Sequence, residues 1–410
     1  MTTVEVAIVG AGPVGLTTAL GLARRGVSVV LLEKDEQLGR FWRASTFHPP
    51  SLDVAADLGI VDDMLEAGLV APMYQLRDFR TGIVARFDLN AISDETAWPF
   101  RLQLEQYKYS NIVAAAVQTR PEAQIRFSSA VTGMRIHDDH VELEINGSET
   151  LTASWVVAGD GSSSIVRELA GIAFEGETYP SRRLLLSIEE SLNELVPDLD
   201  LVNYVYAPVG AGMVLRIPDL WRVMFTIPSG IDDATARSVE YYGSRLSELL
   251  GVQPEVVSTQ VYYIHQKVAA SMRRGRVLLV GDAAHANSPT GGMGLNSGIH
   301  DAFDLITTLT SESADLDRAL DAWADRRRRA AVEEVHRVSR RNTVDLGEPD
   351  DVARGRKQDD VRAIAQDSQQ AKEWLMESSM IASVRRHPIG VGRVAPYTTG
   401  PRSFVAEVVR

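Results

Sequence analysis

Apolar and polar positions along this chain follow two rhythms, and the switch between them is sharpest near the start. Val4 to Val9 form a short, β-branched apolar run that stops at glycine, which predicts a buried strand. Leu16, Ala19, Leu20 and Ala23 then share one helical face, and Gly26 is placed to end that helix. A second apolar run, Ser28 to Leu32, finishes on Glu33. The predicted order is strand, turn, helix, strand.

The turn in this unit carries Gly10, Gly12, Pro13 and Gly15, with the glycines spaced G-x-G-x-x-G. In a βαβ unit such glycines turn the chain, admit a pyrophosphate to the backbone, and let helix and strand pack closely. The helix start offers free N–H groups and a positive dipole end to phosphates. Glu33 can accept hydrogen bonds from the hydroxyls of an adenosine ribose. The unit therefore predicts dinucleotide binding, with FAD and NAD both open at this point.

Farther along, Pro49 and Pro50 lead into a predicted helix carrying Leu52, Ala55, Ala56 and Leu58, and Arg40, Arg43, Ser45 and His48 precede it. Tyr74 to Leu89 reads as a hairpin turning at Thr81-Gly82. Phe100 to Val117 reads as a helix with Arg101, Gln103 and Gln106 near its start. Ile125 to Ile145 suggests strands, and ASWVVAGDGSSSIVRELAG suggests strand, turn and short helix, with Asp160 in the turn. Residues 183 to 265 are sheet-rich, with runs LVNYVYAP, GMVLRIP and WRVMFTIP, a helix near Val239 to Leu250, and the strand EVVSTQVYYIH. The α/β idiom returns at Arg276 and turns helical as far as about Arg341. Residues 347 to 357 read as a polar loop, Asp359 to Arg385 as a further helix, and the last twenty as a surface tail. The run Arg326 to Arg329 reads as a solvated helix face, since acids surround it.

Composition narrows the function. The chain has 410 residues, 45% hydrophobic and 24% charged, enough for a large core in two or three units. A net charge of −13 argues against a nucleic-acid binder. The absence of cysteine excludes disulfides, thiolate metal sites, cysteine nucleophiles and cysteinyl-flavin. Glycines and Arg24-Arg25 interrupt the apolar N-terminal stretch, so no signal peptide or membrane span is expected, and cytoplasmic residence is the default.

Three motifs, GAGPVG with Glu33, AGDGSSSIVR around Asp160, and GRVLLVGDAAHANSPTGGMGLNSGIHDA, stand in one order. In this the chain resembles the single-component, class A FAD-dependent aromatic monooxygenases of the para-hydroxybenzoate hydroxylase family, over roughly residues 4 to 345. The resemblance implies an α/β fold: a Rossmann-like FAD-binding domain, an inserted mixed or antiparallel β-sheet substrate domain, and a helical C-terminus. The corresponding boundaries are 1–73, 98–182 and 266–345 for the first, 74–97 and 183–265 for the second, and 346–410 for the third. It further implies non-covalent FAD, with Asp282 after Gly281 on the ribityl chain and Asp160 near the pyrophosphate. The loop from Pro289 through Gly292 and Gly294 would lie against the flavin ring. N–H groups of Leu295 and Asn296 would meet its O2/N1 edge. Arg101 and Gln103 would lie over the flavin, with Arg43 on its phosphate or ring side.

For the substrate, the resemblance implies that Tyr206 hydrogen-bonds a phenol, that Arg216 holds a carboxylate and that Arg222 sits beside the flavin. Pro289 is counted with both the cofactor cradle and the catalytic set. His48, His265 and His285 are further acid–base candidates. The implied reaction uses NAD(P)H as a transient co-substrate without a domain of its own, and O2. A flavin C4a-hydroperoxide then hydroxylates an activated phenol or N-heteroaromatic. Two alternatives stay open: a reductase of the geranylgeranyl-reductase type, and a flavin-binding protein without turnover. A monomer or homodimer is expected.

Overall fold

The computed structural model describes residues 2–40, 43–207, 210 and 212–390. The first strand, Thr2–Val9, lies between Val29–Leu32 and Glu149–Ala158 and runs parallel to both. Val277–Leu279 extends this sheet parallel to Glu149–Ala158, and Ala123–Arg126 extends it beyond Val29–Leu32. Such strands are buried on both faces and read as continuous apolar runs, which Val29–Leu32 and Val277–Leu279 are. The three strands that end in the glycine motifs are therefore neighbours with one direction. Their C-terminal turns must lie side by side.

The helix Pro13–Ala23 is buried along almost its whole length, wedged between Met293–Leu309 and Gln106–Gln118. Close approach to the first is set by Gly21, where a Cβ would stand 2.3 Å from Ile306 Cδ1. Toward the second, the hydroxyls of Thr17 and Tyr109 meet at 2.7 Å.

A second eight-stranded sheet runs in the order 285–286, 258–269, 174–188, 221–227, 212–216, 202–206, 73–78, 82–88. It is antiparallel apart from the parallel pair 73–78 and 202–206. Alternation along these strands gives two apolar faces. Leu184, Leu186, Val223 and Phe225 pack with Leu246 and Leu249 of the helix Val239–Leu250 on one face. Tyr74, Tyr204, Tyr206 and Leu185 pack with Leu346, Val361 and Leu375 on the other. The strands Phe174–Ile188 and Ser258–Ala269 cross residues 182/183 and 265/266, so the chain passes between its two halves inside continuous strands. The observed class is α/β with a parallel sheet, a largely antiparallel second sheet and C-terminal helices.

Several local expectations are corrected. Arg101–Gln103 is a strand pairing with Thr46–Phe47 and Leu69–Ala71, and the helix begins only at Gln106. Pairing on both of its edges holds this segment extended. The polar stretch after 347 is helical from Asp351, because Asp350 caps it by accepting the Ala353 N–H. The expected single helix over 359–385 is three: Asp351–Gln366, Ser368–Ser378 and Ile381–Arg386, broken by capping Asp367 and by Met380 at φ 64°. Arg327 is buried against Asp301 and Arg326 pairs with Asp304, so the arginine run is only partly a solvated face. The expected tail from 391 lies outside the described residues.

Candidate active site

The first two turns interlock backbone to backbone, and the third packs on Val14 of the first helix. A Cβ on Gly10, which has φ 98°, would fall 2.7 Å from both Gly159 O and Asp160 Cα. One on Gly298 would fall 3.0 Å from Gly281 Cα. Gly12 differs: it has φ −70°, and the nearest atom to its added Cβ is Gly159 O at 3.8 Å. Neither packing nor backbone angle asks for glycine there, so what needs the space is a ligand at the mouth of the helix. The acid at the end of the neighbouring strand faces the same place. Glu33 accepts the Ala11 N–H at 2.7 Å and the Asp35 N–H at 3.0 Å, which fixes its carboxylate beside the turn with lone pairs to spare.

The path continues past Asp160, whose Oδ2 accepts the Val166 N–H at 3.2 Å while Oδ1 has no partner among the described residues. Burial pushes this carboxyl up, against hydrogen bonds from Ser164 and nearby N–H groups. Asp282 opens onto the groove but is ringed by protein. That crowding raises its carboxyl, while His285 and Arg43 pull it down. Gln103 accepts from the Thr46 hydroxyl at 3.0 Å, and its amide nitrogen is buried without a partner among the described residues. Orphaned polar atoms spaced along a glycine-lined groove fit a long, polar, dinucleotide-type group better than they fit a packed core. The residues present suit FAD.

At the far end, Gly291 and Gly292 adopt φ 107° and 68°, and the helix Met293–Leu309 starts there. Its first N–H groups lack partners within the helix and carry the positive dipole end. Asn296 uses its side chain to clasp the facing segment: it accepts the His48 N–H at 2.8 Å and donates to Thr46 O at 2.8 Å. His48 Nε2 lies 2.9 Å from Gly291 O. Burial, reinforced by the Arg101 charge, lowers the His48 pKa to about 3. The ring is therefore neutral, Nε2 donates to that carbonyl, and Nδ1 is left as a buried lone pair.

A buried network holds the third turn. Asp301 receives His285 Nε2 at 2.7 Å, Arg327 Nε at 2.8 Å and the Gly281 N–H at 3.1 Å. Burial alone would raise this carboxyl, but His285 and Arg327 hold it below the usual range. His285 is thus a structural partner of Asp301. His265 lies on the strand Ser258–Ala269, near Thr178 at 2.9 Å.

Beyond Gly291 a cavity of about 200 Å³ opens between the second sheet and the C-terminal helices. Tyr74, Tyr204, Tyr206 and Trp374 line it, with Gly291 and Met293 on the side of the glycine loop. The Trp374 indole donates to Tyr74 Oη at 2.6 Å, across 300 positions of sequence. Burial, then Asp345 and Tyr74, raises the Tyr206 phenol, which stays protonated.

Of the residues singled out above, Gly10, Gly12, Pro13, Gly15, Glu33, Asp160, Gly281 and Asp282 share the first part of the groove. Gln103, Gly292, Gly294, Leu295 and Asn296 gather at its far end, where Pro289 O accepts the Gly292 N–H at 3.0 Å. Arg43 is exposed, and its carbonyl accepts from the buried Arg222. Tyr206 lines the cavity, as does Arg101, while Arg216 is not among its lining residues and sits 6.0 Å from the Trp221 ring. Tyr74, Trp374 and Lys357 were not singled out, and no local pattern marks them.

This architecture, a dinucleotide site running into an aromatic-lined cavity, defines a flavoprotein with a substrate chamber. The FAD binding domain family matches residues 3–339. The chain is 31% identical over 340 residues to para-nitrophenol 4-monooxygenase of Pseudomonas sp. (strain WBC-3), covering 80% of this chain and 83% of that one. It is 34% identical over 341 residues to 6-hydroxy-3-succinoylpyridine 3-monooxygenase of Pseudomonas putida (strain DSM 28022 / S16), covering 81% and 86%. The crystal structure of p-nitrophenol 4-monooxygenase from Pseudomonas putida DLL-E4 superposes with a TM-score of 0.87 at 30% identity, over 92% of this chain and 99% of that one. The chain belongs to the FAD-dependent aromatic monooxygenases.

Proposed function

We propose that this enzyme hydroxylates a single-ring phenol or hydroxypyridine, with NAD(P)H as the transient reductant and O2 as the oxidant. The observation that carries the reading is the cavity: about 200 Å³, walled by Tyr74, Tyr204, Tyr206 and Trp374, and closed on one side by Gly291 of the flavin loop. A cavity of about 150 Å³ suffices for benzene, so this one suits one ring with small substituents. Relatives named for para-nitrophenol and for 6-hydroxy-3-succinoylpyridine also take a single ring, the second bearing a four-carbon acid side chain.

Bound FAD supplies the reaction of reduced flavin with oxygen. The groove residues would hold it: the Gly10–Gly15 turn and Glu33 at the adenosine end, Asp160 and Asp282 in the middle, Gln103 and the Met293 helix start at the ring. The chain's other tasks are to orient the substrate ring and exclude water. Tyr206 stays protonated through burial and is placed to share a hydrogen bond with a substrate oxygen. The test is NAD(P)H oxidation by the FAD-loaded enzyme with a panel of phenols and hydroxypyridines, followed with an oxygen electrode and product mass. Oxygen uptake matched by a product heavier by one oxygen supports the reading. Nicotinamide oxidation that proceeds equally under nitrogen, with a reduced product, overturns it.

A further inference from the structure

Three cations line the cavity, and two of them already have acidic partners. Lys357 Nζ lies 3.0 Å from both Asp345 Oδ1 and Glu348 Oε2, and Arg341 lies 2.8 Å from Glu377 Oε2. Arg101 is the exception. It is only 1% exposed, yet no carboxylate of the described residues comes within 4.0 Å of it. Its guanidinium donates to Tyr204 Oη at 3.0 Å, reaches Ser378 O at 3.5 Å, and lies 4.1 Å over the Tyr74 ring. Its Nε is buried without a partner among the described residues. The neighbouring imidazole of His48 is neutral and cannot offset the charge.

A buried cation held only by neutral groups is costly to maintain unless something anionic completes it. Aromatic faces and a phenol offer partial compensation, of a kind suited to a guanidinium. They still leave a net positive charge on the wall of a chamber built for a flat ring. We propose that Arg101 is the substrate-anion residue of this enzyme: it binds the aromatic substrate in anionic form, with the charged oxygen, phenolate or carboxylate, against its guanidinium. This reassigns Arg101 from the flavin side to the substrate, and gives it the role that the family resemblance implied for Arg216. It rests on the hydroxylase reading. The strand Arg101–Gln103 then serves both ligands at once, since residues two apart on a strand share a face: Arg101 for the substrate, Gln103 for the flavin ring.

The test measures equilibrium binding to the FAD-loaded enzyme, by perturbation of flavin absorbance, for two ligand pairs. One is 4-hydroxybenzoate with its neutral amide; the other is 4-nitrophenolate with 4-nitroanisole. The pairs separate carboxylate from phenolate as the recognised oxygen. The wild type is expected to bind at least one anion about tenfold or more tighter than its neutral partner. In Arg101→Gln that preference disappears, a loss of about 10- to 100-fold for the anion, as for a charge-assisted hydrogen bond. Neutral ligands shift by less than about threefold, FAD content is unchanged, and Arg101→Lys restores part of the preference.

Equal wild-type affinity for anion and neutral partner overturns the proposal while leaving the hydroxylase reading intact. So does an Arg101→Gln enzyme that weakens both alike or that loses its FAD. If Arg101→Gln does not fold, the wild-type pairs and Arg101→Lys decide the matter. An enzyme that binds none of the four ligands and consumes no NAD(P)H with any phenol sinks the hydroxylase reading and this one together.

Discussion

The groove and the cavity meet at Gly291, but they are held together by different means. The groove is made of main chain. Turns at the ends of three adjacent parallel strands pack together, Gly10 on Gly159 and Gly281 on Val14, and a buried Asp301 ties the last of them to the helices behind. The cavity is made of side chains. Tyr74, Tyr204, Tyr206, Trp374 and Arg101 arrive from three strands and a C-terminal helix and meet only in the folded molecule. A main-chain site tolerates few changes and is shared by many proteins. A side-chain site can be rebuilt for a new substrate without disturbing the cofactor.

The largest effect expected from this contrast is at Asp301. Asp301→Asn leaves Arg327 buried without its counter-charge, and such a loss costs about 3–5 kcal/mol. Glu377→Gln removes the partner of the cavity-lining Arg341 and of Arg337, both part-exposed, where a loss of about 0–1 kcal/mol is expected. Denaturant unfolding of the FAD-loaded proteins measures both. If the two substitutions cost the same, the groove is no more rigidly braced than the cavity.

The same contrast explains what could be read from the chain before its fold was known. Glycines fixed by positive φ or backbone contact leave a spaced signature, so the groove was legible from Gly10 to Asn296. Tyr206 and Arg101 were picked out by neighbouring motif residues. Trp374 and Tyr74 could not be, because their meeting depends on a contact spanning 300 positions. Arg101 itself falls at the start of the helix expected over Phe100 to Val117. Its strand exists through pairing with Thr46–Phe47 and Leu69–Ala71, which no local window contains.

Gly12 offers a sharper division between fold and ligand. Gly12→Ala places its methyl group where the protein leaves room, 3.8 Å from the nearest atom, so the protein without cofactor should unfold at an unchanged midpoint. FAD affinity should fall by about tenfold or more, some 1.4 kcal/mol, because the added methyl stands where a pyrophosphate approaches. Fluorescence titration of the apoprotein with FAD measures it. An unchanged Kd would mean that the glycine serves something other than the phosphate. On the cavity side, Tyr206→Phe should leave FAD binding alone and lower kcat/KM for a phenol by about tenfold, the worth of one neutral hydrogen bond. A Phe variant with wild-type kcat/KM removes Tyr206 from the substrate.

Acid tests the same contrast in another way, and the sign follows from three buried histidines. His48 and His300 have pKa values lowered to about 3 and His336 to about 4, in each case mainly by burial. Unfolded, each takes up a proton near 6.5. Below that pH the unfolded chain holds more protons than the native one, so the stability these groups confer is complete above pH 6.5 and is lost as pH falls. Between pH 6.5 and 5 each costs about 2 kcal/mol. Asp53 works in the opposite sense. Burial raises its pKa to about 6 despite a hydrogen bond from Trp98, so between about pH 4 and 6 the native state holds a proton that the unfolded state has released. Asp160, Asp282 and Asp304, also raised by burial, add to that offset, so the histidine contribution is read from the comparison of variant with wild type. The His48 ring holds Gly291 O, and the ring of His300, on the Met293 helix, meets Ser51 of the helix Pro49–Asp57 at 3.1 Å, so both protons are taken up beside the glycine loop and the helix that follows it. Melting temperature should therefore drop between pH 7 and 5, and the double variant His48→Gln, His300→Gln should show a shallower slope than the wild type. A slope that is the same in both proteins would place the acid sensitivity elsewhere.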